Sequence, residues 1–394
     1  MHPHTVAAMR ARLPQMLTDI EALVTTESPT GDAAAIATCA RLVTELGVRL
    51  TGIAPEDPAG VPEHPHLRWR FGAGDRVLLV GHYDTVWPLG SLATHPFGIT
   101  AGRLTGPGCF DMKVGVVQLF HALAAQDDLD GVSVLLTCDE EIGSPTSRAL
   151  IEAEARRCAA VLVLEASEGG ALKTARKGVS AYELRVSGRA AHAGLEPERG
   201  INATVELAHQ IGALVRLADP VLGTTVTPTT ATSGSTRNTV PATASVRVDV
   251  RARTLAEQQR VDTALRAFVP LLPGAVLEID GGLDRPPLEE HSSAALFARA
   301  RRLYAELGLD DGELRGVAVG GGSDGNITAG VGTPTLDGLG AVGGGAHADH
   351  EHVSVEEIPA RTALLAALVA ELRAEPSAAT GAAAAGSTES ALVP

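Results

Sequence analysis

The chain is poor in cysteine, in aromatic side chains and in positive charge. Its four cysteines, Cys39, Cys109, Cys138 and Cys158, are scattered over 394 residues with no C-x-x-C pair. That pattern argues against a disulfide scaffold and predicts a reducing compartment, the cytoplasm. Aromatic residues make up 3%, so the core has to rest on Ala, Val and Leu. Lys and Arg number 32 against 47 Asp and Glu, a formal net charge of −15. A chain this acidic is a poor partner for nucleic acid or an anionic membrane. No apolar run approaches the roughly 18 residues of a membrane helix, and residues 1–12 lack the apolar centre of a secretory signal. What remains is ordinary for a globular chain, with 45% hydrophobic and 20% charged residues. Its length suits about two to three domains and a sizeable core.

Residues 33–46 set Ile36, Cys39, Leu42, Val43 and Leu46 on one helical face, and Gly47 reads as a stop signal. The Pro/Gly/His-rich residues 55–65 read as loop. Apolar runs at 77–80, 132–137 and 161–164 then alternate with helical patterns at 112–125 and 147–157. This predicts an α/β fold, a mostly parallel sheet with helices on both faces. The pattern changes near Lys177. Tyr182, Leu184 and Val186 alternate with polar residues, as do Val246, Val248 and Val250, which predicts antiparallel strands with one wet face. Helical segments at 202–217 and 254–268 accompany them. Residues 177–284 therefore read as an inserted α+β domain within a discontinuous first domain, 1–176 and 285–375, which a helix at 293–307 and a strand at 317–319 resume. The Ala/Ser/Gly/Thr-rich residues 376–394 read as a disordered tail.

Acidic residues and histidines gather where the predicted strands end. His82 and Asp84 follow the first run and, two apart, share a side. Asp139, Glu140 and Glu141 follow the second, Glu165 follows the third, and Asp111 opens a helix after Gly106-Pro107-Gly108. Ligands of open α/β sheets bind outside the carboxyl ends of strands. Taken singly, Asp111 could be a helix cap, Glu140 and Glu141 a solvated turn, and His82 a satisfied core histidine. Together these carboxylates repel one another at a sheet rim. A divalent metal relieves that repulsion, and mixed His and carboxylate ligands suit zinc. Residues 343–352 add His347, His350 and His352, a tract that reads as metal binding. Gly320-Gly321-Gly322-Ser323-Asp324 follows a strand but lacks a phosphate-loop lysine, which argues against a nucleotide-dependent transferase.

These stretches together resemble the di-zinc aminoacylase/carboxypeptidase family, which includes glutamate carboxypeptidase, acetylornithine deacetylase and succinyl-diaminopimelate desuccinylase. The resemblance rests on Gly81-His82-Tyr83-Asp84-Thr85-Val86, on residues 106–115 around Asp111, on Asp139-Glu140-Glu141-Ile142-Gly143-Ser144, on Ala190-Ala191-His192-Ala193-Gly194 and on residues 347–353, in family order. The Gly-Pro-Gly before Asp111 and the Gly-Gly-Gly-Ser-Asp stretch look most like the glutamate carboxypeptidase branch. The resemblance implies a zinc-exopeptidase-like catalytic domain with an inserted lid and dimerisation domain. It implies two zinc ions per subunit, replaceable by cobalt or manganese. Asp111 would bridge them, His82 and Glu165 would complete one site, and Glu141 and His347 the other. His347 is preferred to His350 or His352 because Glu351 and Val353 then keep the family spacing. Asp84 would hold the His82 ring, and Glu140 would be the general base acting on water. In a homodimer, His192 would reach the partner's active site and stabilise an oxyanion. Asn238, Arg251 and Gly322 would contact substrate, Arg251 by gripping an α-carboxylate. The implied function is hydrolysis of an amide or peptide bond next to a free α-carboxylate, in a small peptide or an N-acyl amino acid. The alternatives are an N-acyl-amino-acid deacylase, a dipeptidase, or a non-catalytic metal- or peptide-binding protein. The intact Glu140 argues against the last, since a binding module needs no base.

Overall fold

The apolar run Val77–His82 is buried along its whole length, as a central parallel strand must be. In the computed structural model, which describes residues 4–56, 64–72, 76–309 and 313–375, it lies between Val132–Thr137 and Ala160–Val163, parallel to both. Thr335–Leu336 extends the sheet in parallel beside Ala160–Val163, and Leu67–Arg70 closes the other edge antiparallel. Most of the predicted loop at 55–65 and the predicted tail at 376–394 lie outside the described residues.

Alternate strand residues feed two cores. Leu78, Val80, Leu135 and Val161 pack with Ile151 and Ile327 from helices Arg148–Arg157 and Asp324–Gly330. Val77, Leu79, Val134 and Leu162 join Phe120 and Leu364 from helices Val114–Leu123 and Glu357–Ala374. Helices thus cover both faces of the sheet. The register that aligns Val77 with Val132 also aligns His82 with Thr137. Residues 82–84, 138–141 and 165 therefore leave neighbouring strands at one end of the sheet.

Two local expectations are corrected. Gly47 does not stop its helix, which runs Ala33–Thr51 and ends at Gly52 in the left-handed region. Gly47 is there for close packing, since a Cβ on it would lie 2.6 Å from the Trp69 ring. Asp111 does not open a helix either. It has extended backbone (φ −119°, ψ 95°), and the regular helix begins at Val114.

The described chain divides into two compact units. The first comprises residues up to Thr174, Glu290–Ala318 and those from Ser323 onward, and the second Ala175–Glu289 with Val319–Gly322. The second unit holds an antiparallel sheet ordered Thr225–Ser233, Thr243–Ala252, Gly178–Ser187 and Val276–Arg285. Its alternation buries Tyr182, Leu184, Val186, Val246, Val248 and Val250 with Leu207 and Val261 of helices Ala203–Val215 and Leu255–Arg266. Residues 285–289 and 319–322, given to the first domain on sequence pattern, group here. Arg285 aligns with Val179, the Lys177 N–H donates to the Val319 carbonyl, and Arg176 donates to the carbonyls of Gly321 and Gly322. Among the described residues no helix is long and apolar enough to cross a membrane.

Candidate active site

His82, at the end of its strand, is buried. Its Nδ1 lies 3.0 Å from the backbone carbonyl of Asp84 and 3.5 Å from that residue's carboxylate. This directs Nε2 to Asp111 Oδ1 at 3.2 Å and to Glu165 Oε1 at 3.5 Å. Asp84 faces the His82 ring and also braces a second segment. Its carbonyl makes the closer contact to the ring, and its carboxylate accepts from the Thr30 hydroxyl at 2.7 Å and from the N–H groups of Glu140 and Glu141 at 3.4 and 3.3 Å. Asp84 thereby ties the His82 strand to the Glu140–Glu141 turn.

Asp111 turns its second oxygen elsewhere. Oδ2 lies 3.4 Å from His347 Nε2, which is 3.2 Å from Glu141 Oε2. One carboxylate thus faces two histidines through two different oxygens, the arrangement a bridging ligand requires. Ligand atoms of His82, Asp111 and Glu141 lie within 4.8 Å of one another, as do those of His82, Glu140 and Glu165. His347, His350 and His352 belong to neither group, but of the three only His347 faces Asp111 and Glu141. His350 faces Asp349 at 3.4 Å, and Arg103 donates to His352 Nδ1 at 2.9 Å. His347 itself has φ +62°, a conformation rare for a residue with a side chain.

The charges in this cluster are strongly coupled. Burial opposes ionisation of Asp111, but His347 and His82 hold its carboxyl well below the usual carboxylate range. Burial pulls His82 down, yet Asp111, Asp84 and Glu165 raise it well above its ordinary value. Asp111 and Glu141 push His347 up to about 10. Burial raises Glu141, against His347 and His82. Metal-free, the carboxylates therefore draw protons onto the histidines, and a bound cation takes over that positive charge with both rings neutral. Glu141 Oε1 is buried and, among the described residues, has no hydrogen-bond partner, an exception that calls for a ligand. Two imidazole nitrogens with several carboxylate oxygens suit a transition-series divalent ion better than the all-oxygen preference of calcium or magnesium. The residues fit a two-metal centre.

Several supporting contacts around the cluster could not be read from the sequence. Lys173 Nζ lies 4.0 Å from Glu165 Oε2. Asp139 accepts from the N–H and hydroxyl groups of both Thr146 and Ser147, at 2.6–3.2 Å, and fixes the turn that carries Glu140 and Glu141. Asp324 accepts from Ser144 and from Thr137, so the Gly-Gly-Gly-Ser-Asp stretch braces the same turn. Glu351 accepts from four N–H donors around Asp111. Burial pushes its carboxyl up, against those donors.

The residues expected to meet substrate fall in the second unit, at two places. His192 pairs with Thr239, and the Ala193 N–H donates to the Asn238 carbonyl at 2.8 Å, so His192 and Asn238 are neighbours on an exposed two-strand ribbon. The Gly194 N–H donates to His192 Nδ1 at 3.1 Å. Arg251 and Arg285 both align with Val179, at one end of the antiparallel sheet. A Cβ on Gly322 would lie 3.3 Å from Val179 and 3.5 Å from Arg285. Arg251 Nε donates to both oxygens of Asp249 at 2.9 and 3.1 Å, so this arginine is already oriented by an acid.

Comparison with known proteins agrees with this geometry. The family model of Peptidase family M20/M25/M40 matches residues 78–371. The chain is 32% identical over 380 residues to carboxypeptidase G2 of Pseudomonas sp. (strain RS-16), covering 92% of this chain and 90% of that protein. It is 25% identical over 372 residues to succinyl-diaminopimelate desuccinylase of Thioalkalivibrio sulfidiphilus, covering 83% and 97%. Its fold resembles the crystal structure of aminopeptidase PepT from Bacillus cereus ATCC 10987, with a TM-score of 0.73 at 20% identity, covering 91% and 98%. A cluster of histidines and carboxylates built for two metals, on a chain matched over most of its length, makes this protein a metallohydrolase that belongs to peptidase family M20/M25/M40.

Proposed function

We propose that the chain is a zinc-dependent hydrolase that cleaves an amide or peptide bond next to a free α-carboxylate, in the manner of a glutamate carboxypeptidase. The observation that carries this reading is the Asp111 carboxylate, which faces His82 with one oxygen and His347 with the other, with Glu141 and Glu165 alongside. The 32% identity to carboxypeptidase G2 supports the substrate class.

His82, Asp111 and Glu165 would hold one ion, and Asp111, Glu141 and His347 would hold the other. Bound zinc supplies Lewis acidity, which lowers the pKa of water and polarises a carbonyl. Glu140, held through its N–H by Asp84, takes a proton from the attacking water and delivers it to the leaving nitrogen. The new C–O bond replaces the C–N bond, and the products are a carboxylic acid and an amine. Arg251 grips the α-carboxylate by its fork of donors, with Asn238 and Gly322 as further substrate contacts. The inserted domain, near residues 177–284, serves as lid and dimer interface of a cytoplasmic homodimer, and His192 steadies the oxyanion of the partner's reaction.

The test is a pair of substrates, one with the free acid and one with its carboxamide. The wild type prefers the acid strongly. Arg251→Ala loses about 10- to 150-fold in kcat/KM on the acid, the worth of roughly 1.5–3 kcal/mol for a charged hydrogen bond, and most of the preference goes with it. Equal cleavage of both substrates by the wild type would refute the carboxylate reading.

A further inference from the structure

The loop that carries Asp111 has backbone amides no helix can satisfy. Asp111 is extended and the helix begins only at Val114. A buried N–H left without a partner costs about 1–3 kcal/mol. The partner here is Glu351, a fully buried side chain lying 240 residues away in sequence. Its Oε1 accepts from the N–H groups of Phe110 and Asp111 at 2.8 and 3.0 Å, and its Oε2 from the Gly108 N–H at 3.0 Å and the Trp87 indole at 2.6 Å. Three amides of one short loop converge on one carboxylate, as in a backbone anion nest. The anion is supplied by the chain itself.

Glu351 also belongs to the turn that carries His347. Its own N–H donates to the Ala348 carbonyl at 2.9 Å. The next residues, His352–Ser354, pair with Arg103–Thr105, which leads into the Asp111 loop. A single side chain therefore joins the loop of the bridging residue to the loop of the terminal histidine.

We propose that Glu351 is a positioning residue of the metal centre: by gathering the amides of Gly108, Phe110 and Asp111 it sets the Asp111 carboxylate between His82 and His347 before any metal arrives. The proposal rests on the reading that Asp111 and His347 are metal ligands. A carboxylate is required because both oxygens accept twice. Glutamine has nearly the same shape but offers one oxygen, and its NH2 group would confront two N–H donors.

The test uses the full-length chain and cobalt as the probe. Glu351→Gln binds Co2+ about 10- to 100-fold more weakly by calorimetry, the usual cost of losing a group that orients ligands. Its cobalt absorption spectrum differs from that of the wild type, a change that simple loss of stability would not produce. Wild-type affinity and spectrum in a folded Glu351→Gln protein would overturn the proposal. Should that variant fail to fold, amide exchange in the metal-free wild type decides the matter. Protected amides at Gly108, Phe110 and Asp111 uphold the proposal, and fast exchange there overturns it. A wild type that binds no cobalt would instead sink the metal-centre reading, whatever the amides show.

Discussion

The candidate metal cluster and the residues expected to read substrate are presented by the fold in opposite ways. His82, Asp84, Glu140 and Glu165 are buried, and each sits at or just past the end of a strand whose register is set by apolar packing on both faces. His192 and Asn238 stand exposed on a two-residue strand pairing, and Arg251 is half-buried beside its own acid partner. The difference teaches where each kind of chemistry can be placed. Ligand atoms have to converge within a few ångströms, so they need strand ends that cannot slip and a web of backbone donors. A carboxylate reader needs a guanidinium with donors to spare and access to solvent. His347 spans the two styles: it is about half exposed, yet it faces Asp111 and Glu141.

The sharpest way to separate the two regions is to remove the proposed base without touching the proposed ligands. Glu140→Ala lowers kcat by about 10²–10⁴-fold, while elemental analysis still finds two metals per chain. Loss of metal in that variant would make Glu140 a ligand, a role its place beside His82 and Glu165 leaves geometrically open.

The exposed ribbon is tested by complementation. A His192→Ala chain and a Glu140→Ala chain, each inactive alone, regain activity when mixed, because one mixed dimer joins an intact metal cluster to an intact histidine from the other chain. Subunit exchange is followed by mass spectrometry, and verified mixed dimers that stay inactive would remove the cross-subunit role.

Metal uptake sharpens the buried side of the comparison. His347 is raised from 6.5 to about 10 by Asp111 and Glu141. Metal-free, it stabilises the fold below pH 6.5, and that contribution fades as the pH rises through about 10. A metal needs the neutral ring, so binding at pH 7 releases protons and tightens as the pH rises. Calorimetry in buffers of different ionisation enthalpy measures the release, and a heat independent of buffer would contradict it.

The smallest effect belongs to Arg247, which shares a strand face with Arg251 but is exposed. Arg247→Ala changes stability by no more than about 0.5 kcal/mol and leaves kcat/KM for the free-acid substrate at the wild-type value, against the large loss expected at Arg251. Equal losses at both positions would mean that general positive charge, and not one fork of donors, attracts the substrate.

Legibility followed the range of the forces involved. Strand Val132–Thr137 has the bounds its apolar run predicts, and the alternation at Tyr182, Leu184 and Val186 correctly names the buried face. Gly47 was misread because the reason for a glycine there is the Trp69 ring, a contact no local pattern encodes. Asp111 looked like a helix opener because a Gly-Pro-Gly and a helical run flank it, whereas its backbone is extended and its amide donates to Glu351. Lys173 was invisible for the same reason: nothing near it in the chain marks that it faces Glu165.

By itself the sequence determined the secondary-structure periods, the change from parallel to antiparallel patterning, and the kinds of side chain available at the strand ends. Those depend on neighbours one to four residues apart, where apolar spacing and turn chemistry act directly. Only the tertiary structure decided that Asp111 faces two histidines with separate oxygens, that Asp84 meets the His82 ring while its carboxylate also steadies the Glu140–Glu141 turn, and that Glu351 accepts from the amides around Asp111. Those contacts join segments far apart in the chain, and they form because a buried N–H or carboxylate must find a partner wherever the packed strands bring one within reach.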